Sequence, residues 1–185
     1  AIVENNEVLY NKGFGYRDLE NRKPVTENTV FPIASCSKAF TATLLGILEE
    51  ENQLKLTDRP SMHIPNLRFN TVEMNLTVSI LDLLSHKSGI GAVNGPLVLF
   101  PEDNRLSVME KLIHIKPEGK VKESSLYSNL GYTIAGTIIE EVTKESWEDN
   151  IEHKIFDPLQ MTNSFTNLEE AKSKDNFSFG YGLYR

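Results

Sequence analysis

Apolar and polar positions change their period several times along the chain. Residues 2–4 and 7–17 alternate as strands do, with a turn at Asn5-Asn6. The stretch from Asn21 to Asn28 is polar and rich in turn formers. From Ser37 to Asn52 the period lengthens. Phe40, Leu44, Leu45, Ile47 and Leu48 form an apolar helical stripe, with Glu49, Glu50 and Glu51 on the solvent side. Leu54 to Leu67 reads as irregular chain bounded by Pro60 and Pro65. Thr77 is the expected N-cap of a short helix over 78–86. Gly89, Gly91, Gly95 and Pro96 then break regular structure.

A helix is predicted from Asn104 to Ile115, ending ahead of Pro117. Leu130 to Thr143 carries Ile134, Ala135, Ile138 and Ile139 among small residues, the pattern of a buried helix. Ser146 caps a further helix to about Ile155, with Pro158 beyond its end. There is no internal repeat and no low-complexity tract. Strands followed mostly by helices is an odd plan for a complete α/β protein. It suits the front half of a fold whose remaining strands come later. The chain opens on Ala1-Ile2-Val3, inside a strand pattern, so a segment of a longer protein is expected at both ends.

Candidate chemistry begins at Ser35-Cys36-Ser37-Lys38, a Ser-x-x-Lys pattern at the mouth of the Ser37 helix. Three residues are nearly one helical turn, so Ser35 and Lys38 share a face. A lysine amine beside a serine hydroxyl can accept its proton, and a helix N-terminus favours developing negative charge. Ser35 is therefore a candidate acylable nucleophile, although the same pattern also marks ordinary helix starts. Cys36 points about 100° around the helix from it and reads as a buried small residue. A second pattern, Tyr127-Ser128-Asn129, sits at a loop-to-helix junction. A phenol and a carboxamide two positions apart can point into one cleft. A phenolate stabilised by a lysine ammonium could act as general base. The plainer reading makes Tyr127 a half-buried aromatic and Asn129 a helix cap.

Together the two patterns resemble the serine β-lactamase and penicillin-binding-protein superfamily, most closely its class C-like branch. The likeness extends to Val8–Asp18 as an early strand and turn and to Thr29–Ala34 as the run into the nucleophile. It continues through Leu81-Asp82-Leu83-Leu84-Ser85-His86-Lys87-Ser88-Gly89 and Ile155-Phe156-Asp157-Pro158-Leu159-Gln160-Met161. The resemblance implies one β-lactamase/transpeptidase-like α/β (α+β) domain over 1–185, an antiparallel sheet flanked by a helical region. It implies Ser35 as nucleophile, Lys38 as the group that deprotonates or orients it, Tyr127 as the base-like tyrosine and Asn129 as the cleft amide. The Ser35 N–H would be half of an oxyanion hole.

The superfamily's third motif, Lys/His-Thr/Ser-Gly on a sheet strand, does not occur after Tyr127. C-terminal sheet strands are therefore expected to be missing from this stretch. Two functions stay open. One is a serine hydrolase acting on amides or esters: β-lactams, D-amino-acid peptides of the cell-wall type, or short esters. The other is a non-catalytic or incomplete member with a binding or scaffold role. The superfamily mostly works outside the cytoplasm, which the resemblance implies here.

Composition narrows the rest. The 185 residues are 39% hydrophobic and 24% charged, ordinary for a globular domain. A net charge of −7 without a basic stripe argues against nucleic acid and suits a small-molecule or peptide substrate. One cysteine excludes an internal disulfide and a Cys-based zinc site. No apolar run reaches the 18 or so residues of a membrane span, so membrane association is not encoded in this stretch. No cofactor is called for. His63, His114 and His153 lack metal-site spacing, and there is no Gly-x-Ser-x-Gly elbow. Gly13 and Gly15 lack the third glycine and the helix of a dinucleotide site. His86 reads as a cap for helix-end carbonyls rather than a base. Asn75 and Asn176 begin glycosylation-type triplets of a kind common by chance.

Overall fold

The computed structural model describes residues 1–91 and 105–182. Gly95, Pro96 and Asn104, and the chain end at 183–185, lie outside them. The described chain forms two compact units, one of Cys36–Ile155 and one of Ala1–Ser35 with Phe156–Arg185.

In the second of these, β1 (Ile2–Glu4) pairs antiparallel with β2 (Glu7–Tyr10), Val3 opposite Val8 and Glu4 opposite Glu7. The connection is the expected Asn5-Asn6. Both have positive φ, 47° and 67°, the two-residue hairpin geometry whose twist matches the strands. The alternation over 7–17 is not one strand. β2 ends at Tyr10, and β3 (Tyr16–Asp18) instead pairs with β4 (Lys23–Pro24). Gly15, at φ 74°, makes the break. Asp18 closes the β3–β4 turn by accepting from the Asn21 backbone N–H at 3.0 Å and its Nδ2 at 2.8 Å. Those bonds hold its carboxyl below the ordinary value. A short helix, α7 (Leu168–Lys172), is capped by Asn167. The chain then returns to Val30 through the Val30 N–H on Asn176 O and the Ser178 N–H on Val30 O.

The larger unit is helical and built on α5 (Asn129–Thr143). Leu130, Ile134, Ala135, Ile138 and Ile139 are all buried, as are Gly131, Gly136 and Thr137. A helix apolar on so many sides must be central. α5 packs against α1 (Ser37–Glu50), α3 (Ile80–Leu84), α4 (Arg105–Lys111) and α6 (Trp147–Ile151). α1 buries Thr41, Leu44, Leu45 and Leu48, one helical stripe. Two of the acidic residues at its C-terminal end, Glu49 inside the helix and Glu51 at its C-cap, do more than face solvent. Glu49 accepts the Leu56 N–H at 2.7 Å, and Glu51 pairs with Lys154 at 2.8 Å. Trp147 joins α6 to α1 through its Nε1–H on Thr41 Oγ1, at 3.1 Å.

The predicted cap at Thr77 is corrected. Thr77 ends α2 (Val72–Thr77), which Thr71 caps, and its hydroxyl donates back to Glu73 O. Ser79 caps α3, in a reciprocal capping box with Asp82. The neighbouring irregular chain decides this, because the Ile80 and Leu81 N–H groups go to Asp58 O and Leu56 O. After α4 the chain tightens into a 3-10 turn, Leu112–His114, before Pro117. After α6 it widens into a π-turn, Glu152–Phe156, before Pro158.

Candidate active site

Ser35 is the middle residue of a 3-10 turn, Ala34–Cys36, which runs directly into α1. Ala34 holds φ 45°, a left-handed conformation that costs a residue with a Cβ about 1–2 kcal/mol. Such strain concentrates at functional sites. Cys36 is exposed, not buried as its helical angle suggested.

Lys38 lies in the first turn of α1, half-buried. Its Nζ donates to Asn129 Oδ1 at 2.7 Å. It also lies 4.8 Å from the centre of the Tyr127 ring and 5.4 Å from that of Tyr132. Both are within cation–π range. Ser128, not Asn129, is the N-cap of α5; its hydroxyl accepts from Gly131 N–H at 3.2 Å. Asn129 is thereby the first helical residue, with its side chain free of capping. Because Oδ1 accepts the hydrogen bond from Lys38 Nζ, the amide's Nδ2 donors remain for another acceptor.

Tyr132 lies one turn further along α5, on the face of Asn129. Its hydroxyl donates to Leu84 O at 3.0 Å, and burial followed by the neighbouring Tyr127 raises its pKa. Gly131 lets α5 approach α3, since a Cβ there would stand 3.2 Å from Leu83 O.

His86 belongs to the same cluster, and the expected role for it is corrected. It follows the C-cap of α3 at φ 60°. Its ring does not cap helix carbonyls. Nδ1 accepts the Ser128 backbone N–H at 3.1 Å. The ring packs against Tyr127 at 4.7 Å and Tyr132 at 5.5 Å between centroids. The sequence signals for Tyr132 and His86 were present in the three-residue step from Asn129 and in the Leu-Leu-Ser-His-Lys-Ser-Gly segment.

Of the four predicted site residues, Lys38, Tyr127 and Asn129 meet within the helical unit, and Ser35 stands one residue before it. The other tempting groups are structural. His63 is 3.0 Å from Asp58 Oδ2. Both side-chain amides of the glycosylation-type triplets are engaged. Asn75 holds Phe69 and Thr71 backbone, and Asn176 holds Thr26 and Thr29 hydroxyls. Among the described residues no group of three or more His, Cys, Asp or Glu could hold a metal ion. No described helix is long and apolar enough to cross a membrane.

Residues 1–176 match the family described as Beta-lactamase. The chain belongs to the beta-lactamase family. It is 35% identical to protein flp of Staphylococcus aureus, over 98% of this chain and 37% of that one. Among solved structures it resembles the octameric penicillin-binding protein homologue from Pyrococcus abyssi (TM-score 0.84, 32% identity, 99% of this chain and 43% of that one). It also resembles a class C beta-lactamase (TM-score 0.76, 30% identity, 91% and 45%). The fold is thus β-lactamase/transpeptidase-like, as the motifs implied. The family member described here spans less than half the length of these relatives.

Proposed function

We propose that this family member is a serine hydrolase that forms an acyl-enzyme on Ser35, cleaving amide or ester bonds in β-lactams, D-amino-acid peptides or short esters. The observation that carries the reading is Lys38 Nζ, three residues beyond Ser35 in the chain and held by Asn129 Oδ1 and the Tyr127 ring. Ser35 Oγ attacks the substrate carbonyl, and Lys38 with Tyr127 takes up its proton. Collapse of the tetrahedral species breaks the amide or ester bond, and that proton leaves on the departing amine or alcohol. Water then attacks the acyl carbonyl and restores Ser35. Asn129 Nδ2 orients the substrate. The Ser35 N–H is one oxyanion donor, a class of contact worth a few kcal/mol. No metal is required by this chemistry.

The substrate meets the site as a small molecule or peptide, outside the cytoplasm. Residues 1–185 are part of a single β-lactamase-like domain, completed by strands that cover the β1–β2 hairpin. The hairpin's exposure on both faces supports this: Ile2, Val3, Val8 and Leu9 are each more than half exposed. A strand apolar on both faces is ordinarily covered on both.

The test is an intact mass spectrum of the protein at its natural length, before and after exposure to a fluorescent penicillin and a fluorophosphonate. A single adduct mapped to Ser35 and lost in Ser35→Ala supports the reading, and the reacting probe narrows the substrate class. No adduct with either probe overturns it in favour of a binding or scaffold role.

A further inference from the structure

The most informative group left over from this chemistry is His86. It stands where a helix end in left-handed conformation ordinarily takes glycine or asparagine. A histidine there has to be explained by its side chain. The ring does three things at once. Nδ1 accepts the Ser128 N–H, while its two neighbouring aromatic contacts are Tyr127 on the loop and Tyr132 on α5. The backbone adds a fourth tie, since the Leu126 N–H donates to His86 O at 2.8 Å. The segment Leu126-Tyr127-Ser128 is thus clamped to His86 on both sides of Tyr127. The same clamp sets where α5 begins, and hence where Asn129 meets Lys38.

We propose that His86 is a positioning residue for the acylation site: its neutral ring holds the Ser128 amide and fixes Tyr127 and Asn129 around Lys38, and protonation of the ring releases them. The inference rests on the serine-hydrolase reading for its catalytic consequence.

The physical reason is an incompatibility of donors. Nδ1 can accept an N–H only while it carries no proton. In imidazolium both nitrogens donate, so the Ser128 N–H would face another N–H and the bond would be lost. Among the described residues, the titratable groups facing the ring are Tyr127 from the loop, Tyr132 from α5 and Lys38 from α1. None is a carboxylate. Burial first, and then the positive charge of Lys38, hold the ring below its ordinary value of 6.5. The clamp therefore stays closed at neutral pH and opens on the acid side.

The test compares wild type, His86→Asn and His86→Ala in the protein at its natural length, with a fluorescent penicillin as the acylating probe. Asparagine tolerates left-handed backbone, places Oδ1 where Nδ1 lies and does not titrate. His86→Ala is expected to slow acylation at pH 8 by roughly ten- to a hundredfold, the scale of a small misplacement of reacting groups. His86→Asn is expected to recover most of that loss and to remove or shift the acid limb of the rate–pH profile. Nitrogen NMR of the ring is expected to show Nδ1 unprotonated at pH 8, and Ser128 amide exchange is expected to be slow in wild type and fast in His86→Ala. An unchanged acid limb in His86→Asn, or a proton on Nδ1 at pH 8, overturns the proposal. If His86→Ala does not fold, the His86→Asn profile decides. If wild type takes no acyl group at all, the hydrolase reading fails, and the ring and amide measurements still decide whether His86 holds the loop.

Discussion

Lys38 Nζ and Asn129 Oδ1 lie 2.7 Å apart although 91 positions separate them in the chain. The contact joins the first turn of α1 to the first turn of α5. It also gives the Asn129 amide a direction, oxygen toward the lysine and nitrogen away from it. Removing the lysine should therefore disturb both proton handling and substrate orientation. Lys38→Ala and Tyr127→Phe are each expected to slow acylation by about 10²–10⁴-fold, the range for a lost acid–base group. Ser35→Ala should abolish turnover with little loss of stability. Stopped-flow acylation alongside thermal melts checks this, and full activity in Ser35→Ala would refute the mechanism.

Thr41 is a buried polar residue whose hydroxyl accepts the Trp147 indole N–H. Thr41→Val keeps the shape and leaves that donor without its acceptor. A loss of about 1–3 kcal/mol is expected, with Thr41→Ser close to wild type. Urea unfolding of the three proteins measures it. Equal midpoints would mean that the indole finds water instead.

Ile138 on α5 is fully buried where the helix meets its neighbours. Ile138→Ala should cost about 2–5 kcal/mol through lost burial and a residual cavity. An exposed position on the hairpin, Val8, offers the contrast. If the strands proposed to cover it are present in the natural protein, Val8→Ala should also destabilise there. A loss under about 0.5 kcal/mol, the surface range, would leave the hairpin uncovered.

Among the described residues, Asp18 and His86 each make stability depend on acid. Asp18 is held below its ordinary value of 3.8 by its bonds from Asn21. Its contribution is present above that value and is lost as pH falls through the native one. His86 is also lowered, chiefly by burial. The unfolded chain then binds the proton first, so its contribution is present above 6.5 and is lost as pH falls through the native value. Denaturant midpoints across the acid range should fall in two stages. Asp18→Asn should flatten the lower stage and His86→Asn the upper. A profile unchanged by either substitution would assign the acid loss to other groups.

The sequence by itself determined the elements whose signals are local and repeated. The stripe Phe40, Leu44, Leu45, Ile47, Leu48 and the small apolar run Leu130–Ile139 specify α1 and α5, because helical periodicity over several turns leaves little choice of face. The buried line of α1 is Thr41, Leu44, Leu45 and Leu48, with Phe40 and Ile47 half-buried beside it. Asn5-Asn6 specifies the first hairpin, because few other residues accept two consecutive positive φ angles. The Ser-x-x-Lys and Tyr-x-Asn patterns named three residues that the fold does bring together. Only the tertiary structure decided between signals that were locally equivalent. Thr71, Thr77 and Ser79 are all competent caps, and the choice went to Thr71 and Ser79. For Ser79 the deciding groups are the Asp58 and Leu56 carbonyls, which take the next two amides. The alternation over 7–17 reads as one strand until partners are considered, and a strand lasts only as far as another strand pairs with it. His86 is the strongest case. Its ring bonds an amide 42 positions away, so neither its tautomer nor its purpose is set until α3 and the Tyr127 loop have come together.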